Sequence, residues 1–268
     1  MTGLLNIFSA REVMPLIVYG AGIVVFLVWA AGRMSKLTSL RMLTEPGLFI
    51  TTGKMGRGKS YLMTLFIFYA MRQRRVIFAN YFVEGCKSYD EFMEWIDSIG
   101  GREIVVDRAG KPIGWRIPDE HKHTWNSPVT VSNWTQVIDA PNGCMTVIDE
   151  AQSWWDSGAF AAPGDVKDWV TRLRKRKITC LCGAQDFTML SRWLRILAAG
   201  VWECRRTGSV HRYTLVDTSQ VGKSAKTQKF TARFRCRRKR RVMALYDTFE
   251  AVGASREWGG ITDPETVS

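Results

Sequence analysis

The residues Gly53-Lys54-Met55-Gly56-Arg57-Gly58-Lys59-Ser60 have the spacing G-x-x-x-x-G-K-[ST], a pattern whose chemistry is the grip of a polyphosphate. Glycines at 53, 56 and 58 permit backbone angles closed to residues with a Cβ, so that successive N–H groups can converge on phosphate oxygens at a helix start. Lys59 would neutralise the β and γ phosphates, the Ser60 hydroxyl would ligate Mg²⁺, and Tyr61 closes the set expected to hold ATP. A glycine turn before an ordinary core helix is the plainer alternative. The flanks argue against it, because a short apolar run, Leu48-Phe49-Ile50, leads in and a helical stretch from Tyr61 to Ala70 leads out.

A second constellation answers the first. Met145-Thr146-Val147-Ile148 reads as a buried strand that ends in Asp149-Glu150. Asp149 would hold Mg²⁺ through water together with Ser60, and Glu150 would orient or deprotonate the attacking water. Two acids after an apolar run are more often a solvated strand end, and it is the pairing with the glycine loop that gives them a catalytic reading. Ile178 to Ala184 reads as a further core strand, closing in Gln185-Asp186. Gln185 is placed to sense the γ-phosphate through that water, whereas Asp186 can be a simple helix cap.

The elements that position these groups alternate between strand and helix. Arg75 to Asn80 reads as a strand, Tyr89 to Ile99 as a helix ended by Gly100-Gly101, and the stretches 103–106 and 113–117 as a hairpin inserted in the domain. Asp165 to Lys177 reads as a helix with Val166, Trp169, Val170 and Leu173 on one face. Its basic end is a solvated helix terminus or, alternatively, a source of an arginine that reaches a neighbouring subunit's γ-phosphate, with Arg172, Arg174 and Arg176 as candidates. Phe187 to Ala199 reads as helix, and Val201 to Asp217 as a hairpin around Thr207-Gly208-Ser209.

Composition widens the question to partners. The 268-residue chain carries a net charge of +13, which favours an anionic partner, either nucleic acid or a membrane surface with acidic lipid. Met14 to Gly32 contains no charged residue, and at about 1.5 Å per residue it spans about 28 Å, near the thickness of a bilayer core. It reads as one transmembrane helix, with a cleaved leader and a buried core helix as rivals. Arg33, Lys36 and Arg41 outnumber Arg11, which places the N-terminus outside and the remainder in the cytoplasm, where ATP is available. The six cysteines have neither C-x-x-C spacing nor metal-ligand spacing with His121, His123 or His211, and read as thiols. The resulting division is 1–13 extracytoplasmic, 14–32 membrane helix, 33–46 juxtamembrane linker, 47–218 catalytic domain, 219–250 basic segment and 251–268 disordered tail. Within the basic segment, the run from Arg233 to Arg241 can track a phosphate backbone or lie against acidic lipid.

The glycine loop, Asn80, Asp149-Glu150-Ala151-Gln152, the basic stretch Arg172 to Arg176, Gln185 and Tyr246-Asp247-Thr248, in this order, resemble the zonular occludens toxin (Zot)-like assembly ATPases of filamentous phages, relatives of the FtsK and HerA motors. The resemblance covers residues 48–248. It implies an α/β P-loop NTPase with a RecA-like, mostly parallel sheet flanked by helices, carrying here one N-terminal transmembrane helix. It further implies a homo-oligomeric ring such as a hexamer in the host inner membrane, with phage coat proteins and single-stranded DNA as partners and ATP hydrolysis driving virion extrusion. One departure is the position of the span, ahead of the ATPase domain rather than after it. A DNA-packaging or conjugative coupling ATPase, and a nucleotide-switched membrane adaptor that binds DNA, are the alternative readings.

Overall fold

The computed structural model describes residues 45–81, 83–155, 164–208, 210–223, 229–237 and 242. The expected membrane helix over 14–32, the linker up to residue 44 and the tail from 251 lie outside them. Among the described residues, no helix is long and apolar enough to cross a membrane.

Eleven strands and five α-helices follow one another in the order β1 (Gly47–Thr52), α1 (Lys59–Arg72), β2 (Ile77–Ala79), β3 (Lys87–Ser88), α2 (Tyr89–Ser98), β4 (Glu103–Val106), β5 (Pro112–Arg116), β6 (Val129–Thr130), α3 (Trp134–Ile138), β7 (Met145–Ile148), α4 (Gly164–Arg172), β8 (Thr179–Ala184), α5 (Arg192–Leu197), β9 (Gly200–Thr207), β10 (Val210–Val216) and β11 (Phe230–Arg237) among the described residues. Nine strands form one sheet in the order β11-β10-β9-β1-β8-β7-β2-β6-β3, while β4 and β5 pair apart as a hairpin. From β9 to β3 every pairing is parallel, and β10 and β11 add antiparallel strands at one edge. This is the mostly parallel α/β sheet that the family resemblance implies.

The central strands are mostly apolar, with buried threonines at 51, 52, 146 and 179, because both faces are covered. Every residue of β1, β7 and β8 is buried. Helix α1 is enclosed as well, with Tyr61 to Ile67 buried without a break. A helix apolar all round needs cover on several sides. Part of that cover is aromatic, since Phe66 meets Trp202 of β9 edge-on at 6.0 Å, and Trp202 meets Phe234 of β11 at 5.6 Å. Across the sheet, Phe92 of α2 packs on Phe78, Trp125 and Trp115.

Several boundaries differ from the sequence reading, each for a local reason. The helix expected to run to Lys177 stops at Arg172 and continues as turns, ending on Lys177 at φ +55°. The helix expected over 187–199 is split: Asp186 caps a short 3₁₀ turn, Leu190 is extended, and α5 begins only at Arg192. The domain boundary after Thr218 does not hold, because Phe230–Arg237 pairs with β10 as the edge strand of the same sheet. Cys180 and Cys182 lie on one face of β8, with sulfurs 3.7 Å apart and both free.

Candidate functional site

Strand β1 delivers the chain to the glycine loop, and β8 is inserted between β1 and β7. The loop, the end of β8 and the acidic pair after β7 therefore stand side by side at the C-terminal ends of three adjacent parallel strands. Gly58 caps α1 in the left-handed region, at φ +93°, and a Cβ there would stand 2.2 Å from Nδ1 of His211. Only glycine fits this position. The Tyr213 hydroxyl donates to the Gly58 carbonyl at 3.1 Å, and the His211 ring, stacked on Tyr61, lies 3.3 Å from the Arg57 carbonyl. Strand β10 thus props the loop from beneath.

Within the loop, the Lys59 ammonium donates to the Gly53 carbonyl at 2.9 Å. The Ser60 hydroxyl donates to Oδ2 of Asp149 at 3.0 Å, joining two residues 89 positions apart in sequence. Asp149 is fixed from three further directions. Asn80, at the end of β2, donates through Nδ2 to the Asp149 carbonyl at 2.9 Å and accepts the Asp149 N–H at 2.7 Å. The N–H of Glu150 donates to Asp149 Oδ1 at 2.8 Å. Loss of water around the Asp149 carboxyl raises its pKa above the ordinary carboxylate range, an effect that the Ser60 and Glu150 hydrogen bonds and the Lys59 charge oppose.

Glu150 itself is exposed and sits at φ +49°, ψ +46°, a left-handed conformation that costs a non-glycine residue about 1 kcal/mol or more. Gln185 Nε2 approaches Glu150 Oε1 to 3.5 Å, the outer limit of a hydrogen bond. The side chains of Lys54, Met55 and Arg57 project from the loop, Met55 being 82% exposed. A cleft of about 880 Å³ opens beside them, lined by Gly53, Lys54 and Arg57 from the loop, Gln185 just past β8, and Arg205 and Arg212 from the antiparallel pair β9 and β10.

The structure therefore brings together Gly53 to Ser60, Asp149, Glu150 and Gln185. The Tyr61 side chain instead turns into the core beneath the loop, 5% exposed, which leaves only its backbone toward the loop. Of the arginines, Arg176 is corrected to a structural role. It is buried and its donors are taken up inside the fold, by Asn142 Oδ1 at 2.8 Å, the Ile138 carbonyl at 3.0 Å and the Ala140 carbonyl. Arg172 pairs with Asp168 at 3.6 Å, and Arg174 is exposed beside Gly47, where the strands begin. Sequence reasoning gave Asn80 no role beyond the resemblance and missed His211 and Tyr213. A polar amide following a buried strand, and two polar rings at alternate positions of one strand, were the available signals.

Mg²⁺ fits the donor set. The Ser60 hydroxyl and the Asp149 carboxylate are hard oxygen donors that meet at one point beside Lys59, as that cation's preference for oxygen and its retained waters require.

The described fold is similar, at 14% identity and a TM-score of 0.43, to the N-terminal domain of zonular occludens toxin from Neisseria meningitidis, over 76% of this chain and all of that one. It is also similar to the genome packaging NTPase B204 from Sulfolobus turreted icosahedral virus 2 in complex with sulfate (11% identity, TM-score 0.43, 69% of this chain and 94% of that one). A third similar structure is the flagellar accessory protein FlaH from Methanocaldococcus jannaschii (11% identity, TM-score 0.41, 72% and 85%). No curated protein sequence matches the chain. The sequence profile of the family described as Zonular occludens toxin (Zot) matches residues 47–252, more than three quarters of the chain's length, and the chain belongs to that family.

Proposed function

We propose that this chain is a membrane-anchored ATPase that drives filamentous phage assembly and extrusion through the host inner membrane, working as a homo-oligomeric ring on coat proteins and single-stranded DNA. The observation that carries the catalytic part is the 3.0 Å contact between Ser60 and Asp149 at the mouth of a glycine loop that also presents Lys59. Membership of the Zot family supports the phage-related part, and the uncharged stretch 14–32 supports the anchor.

In this reading the loop N–H groups and the start of α1 cradle the β and γ phosphates, and Lys59 exchanges the Gly53 carbonyl for phosphate oxygens. Mg²⁺, when bound, supplies charge neutralisation for the departing diphosphate, and Ser60 and Asp149 are the residues that would hold it. Asn80 keeps the Asp149 backbone in place through its paired hydrogen bonds. Glu150 orients the attacking water and takes its proton, and Gln185 steadies the Glu150 carboxylate from the neighbouring strand.

The test is Lys59→Ala introduced into a phage genome carrying this gene. Release of virions is expected to stop while the chain still inserts into the inner membrane; a normal yield of virions from that variant refutes the proposal. Filling of preformed shells with DNA would replace it with the packaging reading, and binding of nucleotide without turnover would replace it with the adaptor.

A further inference from the structure

The end of the sheet where the parallel strands begin carries a second cleft, of about 660 Å³. The six residues of β1, at about 3.3 Å each, separate it by about 20 Å from the phosphate loop. Its floor includes Arg75 and Arg176, whose guanidinium groups donate to backbone carbonyls and whose pKa values are lowered by burial. Both carboxylates among the lining residues, Glu103 and Asp119, are engaged by one arginine, Arg116, at 2.6 and 3.6 Å. Arg74, Lys122, Lys175 and Lys177 remain on the rim, exposed; none of the four makes an ion pair with a lining carboxylate, and only Lys175 feels a further acid, Asp107 on the β4–β5 turn. The cleft is therefore strongly positive.

The same rim exposes two branched aliphatic side chains of the β4–β5 hairpin, Ile104 at 65% and Val106 at 53%. Cations beside aliphatic carbon match the boundary between lipid head groups and acyl chains. Single-stranded nucleic acid asks instead for aromatic faces on which bases stack. The tryptophans nearest in sequence to this rim, Trp115 and Trp125, are buried in the core, and His123 is the one exposed aromatic ring among the lining residues, too few for a stacking platform. Chain entry points the same way: Glu45 joins the fold at this end, its carbonyl accepting from Thr179 Oγ1 at 3.1 Å, and the Gly47 N–H donates to the Ile178 carbonyl, next to Lys177, at 2.9 Å. A chain arriving from a bilayer would meet the fold here.

We propose that this cleft docks the head groups of anionic phospholipid, with Arg74, Lys122, Lys175 and Lys177 around the phosphates and Ile104 and Val106 against the glycerol and upper acyl region. The inference rests on the membrane-anchored reading for its geometry.

The experiment uses the full chain in nanodiscs of phosphatidylcholine alone or mixed equally with phosphatidylglycerol, and reads amine acylation at each lysine by mass spectrometry. Lys122, Lys175 and Lys177 are expected to react roughly fivefold more slowly in the anionic discs, the ratio that corresponds to about 1 kcal/mol per basic residue near a charged membrane. High salt should erase the difference, and Lys54, in the loop at the other end, should be indifferent to lipid. Lys175→Glu with Lys177→Glu should remove the protection at Lys122. Equal reactivity in both discs overturns the proposal. Protection in neutral discs by an added single-stranded oligonucleotide, with none from anionic lipid, overturns it in favour of nucleic acid. Alkaline extraction from vesicles scores the anchor separately. A stripped chain refutes the span while the footprint still decides the cleft, and a retained chain with an unprotected cleft refutes the head-group contact alone.

Discussion

Gly183 on β8 is the position where the least chemistry should do the most damage. A Cβ there would lie 2.7 Å from Oδ1 of Asp149 and 3.0 Å from the Met63 sulfur, whereas ordinary contact begins at 3.4 Å. Met63 is unbranched and can move aside at small cost. The carboxylate cannot move so easily, being held by Ser60 and by the Glu150 N–H, so Gly183→Ala must displace it by about 0.7 Å or distort β8. A misplacement near 1 Å at a positioning group costs about 10²-fold in rate, so magnesium-dependent ATP turnover should fall about 10- to 100-fold. Overpacking should lower stability by about 1–3 kcal/mol, enough to read as a reduced melting temperature with the fold retained. The assay is steady-state phosphate release at saturating ATP and Mg²⁺, with circular dichroism alongside. Ser60→Ala disturbs the same contact without crowding it, and the double variant should lose less than the sum of the two, since both act on one carboxylate. Wild-type turnover by Gly183→Ala would refute the placement of Asp149 at the reacting centre.

Other expectations follow from the same geometry. Asn80→Ala removes both hydrogen bonds to the Asp149 backbone, and turnover should drop about tenfold or more with a stability loss of about 1–3 kcal/mol, checked by kinetics and denaturant titration. Arg176→Ala should destabilise the domain by about 3 kcal/mol, because it leaves buried acceptors without donors, yet kcat of the assembled protein should be unchanged; a selective loss of kcat would restore this arginine as a trans-acting residue. Without metal, the raised Asp149 pKa means that, between the ordinary carboxylate range and the raised value, the folded protein binds more proton at this group than the unfolded chain does. Stability from this group is therefore highest at low pH and is lost as pH rises from the ordinary carboxylate range through the raised value. Asp149→Asn should flatten that part of the profile, and Mg²⁺ with ATP should stabilise the wild type far more than this variant.

What was legible in the sequence was what local spacing encodes. The loop from Gly53 to Ser60 and the strand ending in Asp149-Glu150 could be placed because their residue types are tied to backbone positions in one short stretch. Their meeting, by contrast, depends on β8 lying between β1 and β7, a strand order no local pattern states. Asn80 acquires its role only from the adjacency of β2 and β7. His211 and Tyr213 matter because β10 returns beneath the loop, some 150 residues further along the chain. The basic composition after residue 218 concealed β11, since buried Ala232 and Phe234 alternate with Arg233 and Arg235 and the charge outweighed that alternation. Arg176 misled for the opposite reason: a cation in a basic run reads as exposed, and only the fold reveals the carbonyls of Ile138 and Ala140 that take it inward.

The most direct test of the account is nucleotide binding and turnover by the purified full chain in detergent, compared with Lys59→Ala. The account predicts that the wild type retains ATP in a magnesium-dependent manner and releases phosphate, and that the variant does neither at a measurable rate. A wild-type protein that is folded yet retains no adenine nucleotide with Mg²⁺ present, or a Lys59→Ala variant that turns ATP over as fast as the wild type, would contradict it.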